Sequence, residues 1–397
     1  MTSRSPRPIE PCGWHDVPSA LAPGPYLMLG DEACAEGAIA AGCNYYAGYP
    51  ITPASEVMEH LARRFRALEG RVFAQMEDEI ASIGSVIGAA WAGARAMTAT
   101  SGPGFSLMME NLAYAIMTET PLVVVDVQRA GPSTGQATRP SQGDVMQARY
   151  GAGSDYEIIV LSPWSAAEMY SETVRAFNLA ERFRVPVILL ADEGVGHLRE
   201  RVVVGAETHV YGRQRAATRS PFVAAAGAAA DAVPPMPAFG DGQRLMVTGS
   251  THDAYGYRRT SEADAQAALV DHLARKVADH RDEIAHAERY LIGAEEELDL
   301  LLISFGFGAR SAYRAARVLR AEGVRAGLLR LGTIWPFDEP AVRAAAERSR
   351  RVLVPEMNRG QVLREVQRVV PAARGCNRTD GEVITPDDIL AVARGWR

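Results

Sequence analysis

Residues 25–195 alternate short apolar runs with stretches in which apolar residues recur at helical spacing. This alternation is typical of a parallel sheet covered by helices. Two of the runs, LVVVDV and PVILLA, are almost entirely apolar, which indicates strands buried on both faces of the sheet. The predicted strands are Tyr45–Gly48, Val72–Gln75, Ala96–Thr100, Leu122–Gln128, Ile158–Leu161 and Pro186–Ala191. The predicted helices cover residues 31–42, 53–69, 79–94, 105–118 and 165–183.

A second α/β pattern follows a stretch of different composition. Residues 218–244 are rich in Ala, Pro and Gly and predict an extended connector, and the charged residues 261–297 predict a solvated helix. Strands are then predicted at Leu298–Ser304, 325–331 and Val352–Pro355, with helices at 309–322, 339–349 and 359–370. We expect two parallel-sheet domains joined by a long connector. Their predicted boundaries are a tail at 1–24, a domain at 25–195, the connector at 196–296 and a domain at 297–397.

Composition limits the class of protein. A chain of 397 residues with 47% apolar and 23% charged residues is globular and long enough for two to three domains. The net charge is −6 and no long basic run occurs, so nucleic acid is not expected as a partner. The longest apolar stretch, Ile80–Ala94, is too short to span a membrane, and the prolines near the N-terminus interrupt any signal peptide.

Metal-binding and covalent chemistry have little support in the sequence. Cys12, Cys34, Cys43 and Cys376 form no CxxC pair, so neither a zinc nor an iron–sulfur site is predicted in this chain. So few cysteines favour a reducing cytoplasm as the location. The eight histidines lack a close ligand spacing and are expected to be surface or structural residues. Lys276 is the only lysine, and its charged helix is expected to be exposed.

Three segments are candidates for a functional site. Loop 129–143 follows a predicted strand, and Arg129 and Arg139 in it suit an anion such as a carboxylate, although a surface loop with solvated arginines has the same pattern. The SGPG tetrad at 101–104 predicts a turn that a ligand or partner can approach closely. The GxGxxS pattern within residues 303–311 imitates a dinucleotide fingerprint, but it lacks the third glycine, and a plain tight turn is the favoured interpretation.

Two further candidates lie at helix starts. Glu77, Asp78 and Glu79 precede a helix with small residues, and they either complement the helix dipole or include one inward-facing general acid. Thr52 and Pro53 predict the start of the second helix, because threonine favours the N-cap and proline the first helical position.

Long motifs in the chain resemble those of one enzyme family. They are GYPITPASEV (48–57), EDEIASIGSVIGAAWAGARAMTATSGPGFSLMMENL (77–112), QRAGPSTG (128–135), AFNLAERFRVPVILLAD (176–192), TGSTHDAYG (248–256), WPFDE (335–339) and PEMNRGQVLREV (355–366). Over about residues 25 to 395 the chain resembles the alpha subunit of 2-oxoacid:ferredoxin oxidoreductases, and within that family the 2-oxoglutarate-type, KorA-like branch.

The resemblance implies a thiamine diphosphate enzyme. Residues 25–195 would form the pyrimidine-binding domain and residues 297–397 the transketolase C-terminal-like domain. A beta subunit would bind the diphosphate, its Mg²⁺ and a [4Fe–4S] cluster, within an alpha2beta2 assembly. The expected reaction is oxidative decarboxylation of a 2-oxoacid, with coenzyme A as acyl acceptor and ferredoxin as electron acceptor.

The resemblance also assigns roles to individual residues. Glu79 would hydrogen-bond N1′ of the thiamine aminopyrimidine and share its proton, and Thr52 would face the reacting carbon. Arg129 would bind the carboxylate of the 2-oxoacid, and Thr134 would line the same pocket.

Two departures from the family pattern leave alternatives open. Related sequences usually have a proline where this chain has Ala137 and a histidine where it has Gly153, so a longer, bulkier or aromatic 2-oxoacid remains open as the substrate. A non-oxidative thiamine decarboxylase and a non-catalytic scaffold or regulatory subunit are the competing interpretations.

Overall fold

The computed structural model describes residues 12–215, 222–223 and 232–396, so residues 218–221 and 224–231 of the predicted connector and residues 1–11 of the tail lie outside the described residues. The strands, in chain order, are β1 (Gly13–Pro18), β2 (Gly24–Leu29), β3 (Tyr45–Gly48), β4 (Val72–Gln75), β5 (Ala96–Thr100), β6 (Leu122–Ala130), β7 (Gln136–Pro140), β8 (Ile159–Leu161), β9 (Pro186–Asp192), β10 (Arg199–Val204), β11 (Glu207–Gly212), β12 (Ala287–Tyr290), β13 (Leu300–Ser304), β14 (Ala326–Leu331), β15 (Thr333–Trp335), β16 (Val352–Glu356) and β17 (Arg374–Asn377). The helices are α1 (Gly30–Ala40), α2 (Ser55–Phe65), α3 (Glu79–Trp91), α4 (Pro103–Leu107), α5 (Met109–Met117), α6 (Val145–Tyr150), α7 (Ala166–Phe183), α8 (Glu193–Gly196), α9 (Ala263–Ala278), α10 (Arg281–Ile284), α11 (Gly306–Ala321), α12 (Glu339–Ala346), α13 (Gln361–Val369) and α14 (Pro386–Gly395).

Two mainly parallel sheets form the molecule, which confirms the predicted fold class. The first has the strand order β15-β8-β9-β6-β5-β3-β4, and all six strands from β8 to β4 run parallel. The second has the order β12-β14-β13-β16-β17, with β14, β13, β16 and β17 parallel. Both central strands of the first sheet, β6 and β9, are buried along their whole length, as their apolar sequences predict.

The tail and connector contain strands that the sequence did not indicate. β1 pairs with β11, and β2 pairs with β10, in two antiparallel ribbons. The prediction of a tail is therefore wrong for residues 13–18, because their partner strand lies about 190 residues later and no local pattern reveals it. The predicted helix at 261–297 ends early, and β12 lies antiparallel to β14 at the edge of the second sheet.

The two sheets are joined by a strand and by buried polar contacts. β15 leaves the second unit and pairs antiparallel with β8 in the first sheet. The side chain of Gln142, buried between the units, donates to the carboxylate of Asp192 at 3.1 Å and to the carbonyl of Phe305 at 3.0 Å. The backbone N–H of Phe307 also donates to Asp192, at 2.8 Å.

These contacts give the GxGxxS segment a structural role. Gly306 begins α11 with φ +50°, a conformation that favours glycine, and the N–H of Phe307 in the first turn of α11 donates to the Asp192 carboxylate. In a dinucleotide site a phosphate would bind at this helix start, and here the Asp192 carboxylate binds there instead. The segment is therefore a tight turn, as the sequence favours.

The prediction that Lys276 is exposed is wrong. Its ammonium is buried and donates to the Glu119 carboxylate at 2.8 Å and to the carbonyl of Arg184 at 3.0 Å. His272, on the same face of α9, contacts the same carboxylate at 2.8 Å. Within the charged sequence of α9, His272 and Lys276 face inward, and their contacts with Glu119 hold this helix against the first domain.

None of the helices in the part of the chain that the structure describes is both long and apolar enough to cross a membrane.

Candidate active site

The candidate residues lie where neighbouring parallel strands of the first sheet end. The turn containing Thr52 follows β3, Glu79 follows β4, the SGPG turn follows β5, and Arg129 lies near the end of β6. Since the carboxyl ends of parallel strands share one edge of the sheet, the fold brings these four segments together. Ligands of open α/β sheets bind at this edge.

Glu79 is the buried member of the three acids at the start of α3. Its relative exposure is 4%, whereas Glu77 is exposed. Asp78 is the N-cap, and its carboxylate accepts a 2.7 Å hydrogen bond from the N–H of Ala81. Burial raises the pKa of Glu79, the charge of Asp78 adds to the rise, and Arg129 opposes it. The geometry therefore separates one inward-facing acid from a capping residue and a solvated one.

The SGPG turn packs closely on Glu79. Gly102 has φ +41°, which favours glycine, and the turn leads into α4. A Cβ at Gly104 would overlap the carboxylate of Glu79 and the hydroxyl of Thr100. Thr100 Oγ1 is buried and has no hydrogen-bond partner. Glycine at position 104 thus allows the turn to pack directly against the buried acid.

Arg129 joins two of these segments. Its Nη1 donates a 2.7 Å hydrogen bond to the carbonyl oxygen of Thr52, and its Nε is buried without a hydrogen-bond partner. The prediction that Thr52 caps α2 is wrong, because the N–H of Ala54 bonds to the carbonyl of Ile51 and the helix begins only at Ser55. The backbone of Thr52 instead positions the guanidinium.

A pocket of about 580 Å³ opens on the other side of Arg129. Its lining includes Gly102, Ser133 and Asp144 of the first unit and Arg359 and Arg378 of the second. Arg378 already pairs with Asp380 and Asp388, each at 2.9 Å. The pocket is therefore formed between the two units, and arginines of both units line it together with the acidic residues Asp144 and Glu382.

Two buried carboxyl groups lie beside Arg129. Asp126 comes from β6 and is fully buried, and neither of its carboxylate oxygens has a hydrogen-bond partner. Burial and the charge of Asp144 hold the pKa of Asp126 well above its usual range. Burial also raises the pKa of Asp144 to about 6. Burial and the charge of Asp144 thus favour the protonated form of Asp126 beside the guanidinium.

The structure separates other candidates from this group. Thr134 is exposed at the tip of the β6–β7 hairpin, beside the pocket residue Ser133. Arg139 forms an exposed 2.9 Å ion pair with Glu382 and does not join Arg129. Gly153 lies in an exposed turn at φ +73°, among the residues that line a different pocket, of about 340 Å³. Position 153 thus lies outside the lining of the pocket beside Arg129.

The sequence prediction missed four residues of the site. Asp126 had a usable signal, an acid inside an otherwise apolar strand, because such a residue is buried together with its neighbours. Asp144 directly follows the candidate loop 129–143 and Arg359 lies in the PEMNRGQVLREV motif, whereas Arg378 had no signal in the sequence.

Family profiles match both units of the chain. The profile described as pyruvate flavodoxin/ferredoxin oxidoreductase, thiamine diphosphate-binding, matches residues 36–272. The profile described as pyruvate:ferredoxin oxidoreductase core domain II matches residues 299–389.

Curated relatives and a solved structure agree with these matches. The chain is 50% identical to 2-oxoglutarate synthase subunit KorA of Methanothermobacter marburgensis, over 94% of this chain and 99% of the relative. It is 35% identical to ketoisovalerate oxidoreductase subunit VorB of the same organism, over 93% and 97%. A structure of 2-oxoglutarate:ferredoxin oxidoreductase from Magnetococcus marinus, with 2-oxoglutarate, coenzyme A and succinyl-CoA bound, superposes with a TM-score of 0.85 at 31% identity. That match covers 93% of this chain and 65% of the other.

Proposed function

The chain belongs to the 2-oxoacid:ferredoxin oxidoreductase family, and we propose that it is the subunit that activates thiamine diphosphate for oxidative decarboxylation of 2-oxoglutarate or a related 2-oxoacid. Coenzyme A would accept the acyl group and ferredoxin the electrons. The observation that carries the proposal is the buried carboxyl of Glu79, set apart from its two acidic neighbours at the carboxyl edge of the first sheet.

The residues around Glu79 fit a thiamine pyrimidine ring. A raised pKa favours a carboxyl that holds a proton, which is what hydrogen bonding to a ring nitrogen requires. The absence of a side chain at Gly104 lets the Glu79 carboxyl keep its position, and the buried hydroxyl of Thr100 lacks a partner. When bound, thiamine diphosphate supplies the electron sink for decarboxylation. The role of this chain is to hold the proton at Glu79, orient the ring and exclude water.

The substrate carboxylate is assigned to Arg129. Its unpartnered Nε and its bond to Thr52 leave a fixed guanidinium edge for an incoming anion. Arg359, an exposed residue of the second unit that lines the same pocket, offers a second cation. Two separated cations suit a dicarboxylate such as 2-oxoglutarate better than a monocarboxylate. Thr134 lies at the hairpin tip that borders this pocket, and it would line the substrate site only after a movement of the hairpin.

A partner subunit completes the proposed enzyme. A beta subunit would bind the diphosphate and its Mg²⁺ and carry the [4Fe–4S] cluster that passes electrons to ferredoxin, in an alpha2beta2 assembly. The four cysteines of this chain support that division, because they are free thiols dispersed over the fold. Free thiols also support a cytoplasmic location.

Reconstitution tests the proposal. Calorimetry should detect little binding of thiamine diphosphate to the isolated chain and clear binding to the complex with a cysteine-rich partner subunit. That complex should reduce ferredoxin only when 2-oxoglutarate and coenzyme A are both present. Release of carbon dioxide without ferredoxin reduction would identify a non-oxidative decarboxylase. A complex that neither binds the cofactor nor decarboxylates any 2-oxoacid would identify a scaffold.

A further inference from the structure

A second cluster of polar side chains lies behind the turn that carries Thr52. Asp31 comes from the first turn of α1, Glu56 from the first turn of α2, and His197 directly follows α8. One potential ligand atom from each residue lies within 4.8 Å of the other two. Three segments distant in the chain thus meet at one point, which is why the spacing of the histidines in the sequence gave no sign of it.

Asp31 is the unusual member of this cluster. Its side chain is fully buried, and neither carboxylate oxygen has a hydrogen-bond partner. Burying a carboxylate without a compensating partner is costly, and such groups in proteins are paired or coordinate metals. Gly196 makes room for it, since a Cβ there would lie 2.7 Å from Asp31 Oδ1. The fold therefore presents an unsatisfied buried oxygen pair to the histidine and the second acid.

Both ring nitrogens of His197 face oxygen atoms of neighbouring residues. Its Nε2 lies 3.4 Å from Glu56 and 3.2 Å from the carbonyl oxygen of Pro53. Its Nδ1 faces the carboxylate of Glu193 at 3.4 Å. A histidine that binds a metal through one nitrogen usually directs the other ring N–H to a carboxylate, which fixes the tautomer and the ring orientation. Glu193 is placed for that role.

We propose that Asp31, Glu56 and His197 bind one divalent cation of the Mn²⁺, Fe²⁺ or Zn²⁺ class. Two carboxylates and one neutral imidazole form a ligand set of charge −2, which a divalent ion neutralises. The sequence predicted no metal in this chain, and the proposal departs from that expectation. Metal binding takes the place of a proton on the imidazole, and ligand distances near 2.0–2.2 Å require the three side chains to close slightly around the ion.

The position of the site gives the ion a structural role. Pro53, whose carbonyl oxygen contacts the His197 ring, directly follows Thr52, whose own carbonyl accepts the hydrogen bond of Arg129. An ion at the cluster holds α1, α2 and the segment after α8 around this turn. The bound ion therefore stabilises the backbone on which the substrate arginine rests.

Manganese is the probe for the test, because the exposed thiol of Cys12 competes for Zn²⁺ much more than for Mn²⁺. The full chain, free of a histidine tag, is stripped with chelator and titrated with Mn²⁺ without thiamine diphosphate, while electron paramagnetic resonance counts the free ion. We expect one tight equivalent. Asp31→Asn, Glu56→Gln and His197→Gln should each weaken it at least tenfold, and Glu193→Gln about tenfold.

His209→Gln is the matched control, because His209 forms a 2.9 Å pair with Asp16 on the surface. It should bind Mn²⁺ like the unaltered chain. Far-UV circular dichroism establishes whether each variant folds. If Asp31→Asn does not fold, the Mn²⁺ affinity of Glu56→Gln decides the matter, because Glu56 is partly exposed. The proposal is overturned if the unaltered chain binds no tight equivalent, or if the three ligand variants bind as well as His209→Gln.

Discussion

Arg129 Nη1 donates a 2.7 Å hydrogen bond to the carbonyl oxygen of Thr52, and this bond connects the end of β6 to the turn after β3. The bond uses one edge of the guanidinium and leaves the buried Nε without a partner. A cation held in this way is oriented before any anion arrives, which reduces the entropy lost on binding.

Replacement of Arg129 should impair substrate capture more than cofactor binding. Removing one member of a buried, hydrogen-bonded charge pair costs about 2–5 kcal/mol. Arg129→Ala should therefore lower kcat/KM for the 2-oxoacid by more than tenfold, while calorimetry finds near-normal thiamine diphosphate binding by the complex. Arg139→Ala removes an exposed arginine of the adjacent β7 and should change kcat/KM little. Equal losses in both variants would place the carboxylate elsewhere.

A methyl group at Gly104 should disturb the site with a small effect on the fold. In Gly104→Ala the new Cβ overlaps Glu79 and Thr100, so the carboxyl must move. Overpacking of this kind typically costs 1–3 kcal/mol of stability. We expect a folded variant with strongly reduced decarboxylation, measured in the complex. Gly395→Ala, at the end of α14 with no atom within 4 Å of the new Cβ, should leave activity unchanged.

Much of the fold follows from local sequence, and the exceptions share a cause. The strands LVVVDV and PVILLA were predictable because both faces of the first sheet are buried. β1 was not, because its pairing partner β11 is distant in the chain. The burial of Lys276 is equally unpredictable, because a charged helix gives no sign that its single lysine meets a buried carboxylate.

The candidate site was likewise predictable only in part from the sequence. Glu79 could be chosen over its neighbours only through the family resemblance, and the structure gives the physical basis, since Asp78 caps the helix and Glu77 is exposed. The roles of Asp144 and Arg359 depend on contacts between distant segments, which no periodicity encodes.

The carboxyl pair beside Arg129 should make stability depend on pH. The pKa of Asp144 is raised to about 6, so the native state retains a proton that the unfolded chain loses between about pH 4 and 6. The stability that this bound proton contributes to the native state is fully present below about pH 4 and is lost as the pH rises through about 6. In Asp144→Asn the free energy of unfolding should therefore fall less over this interval, measured by urea unfolding. Asp271→Asn, at an exposed carboxylate, is the control and should follow the unaltered chain.

The buried Lys276–Glu119 pair should be essential for stability. Lys276→Met leaves the Glu119 charge without its ammonium partner in a fully buried site, which typically costs 3–5 kcal/mol. The double variant Lys276→Met, Glu119→Gln should recover part of that loss, because no buried carboxylate then remains without its ammonium partner. Arg275→Met, on the exposed face of the same helix, should cost less than about 1 kcal/mol. Comparable losses at positions 275 and 276 would contradict the burial of this pair.

The central claim is that Glu79 supplies the acid that activates thiamine. Glu79 is the first residue of α3 and is buried, whereas Asp78 caps the helix and Glu77 is exposed, so Glu79 alone of the three acids faces inward. Glu79→Gln keeps the size and hydrogen bonding of the side chain but removes its acidic proton. Fold, partner binding and most of the cofactor affinity should survive.

Deuterium exchange at C2 of the bound thiazolium, measured on the reconstituted complex, tests this claim most directly because it needs no knowledge of the substrate. In Glu79→Gln the exchange rate should fall by about 10²–10⁴, the usual contribution of a positioned general acid. Glu77→Gln, two residues earlier and exposed, should exchange at the rate of the unaltered complex. Exchange at that same rate in Glu79→Gln would contradict the account.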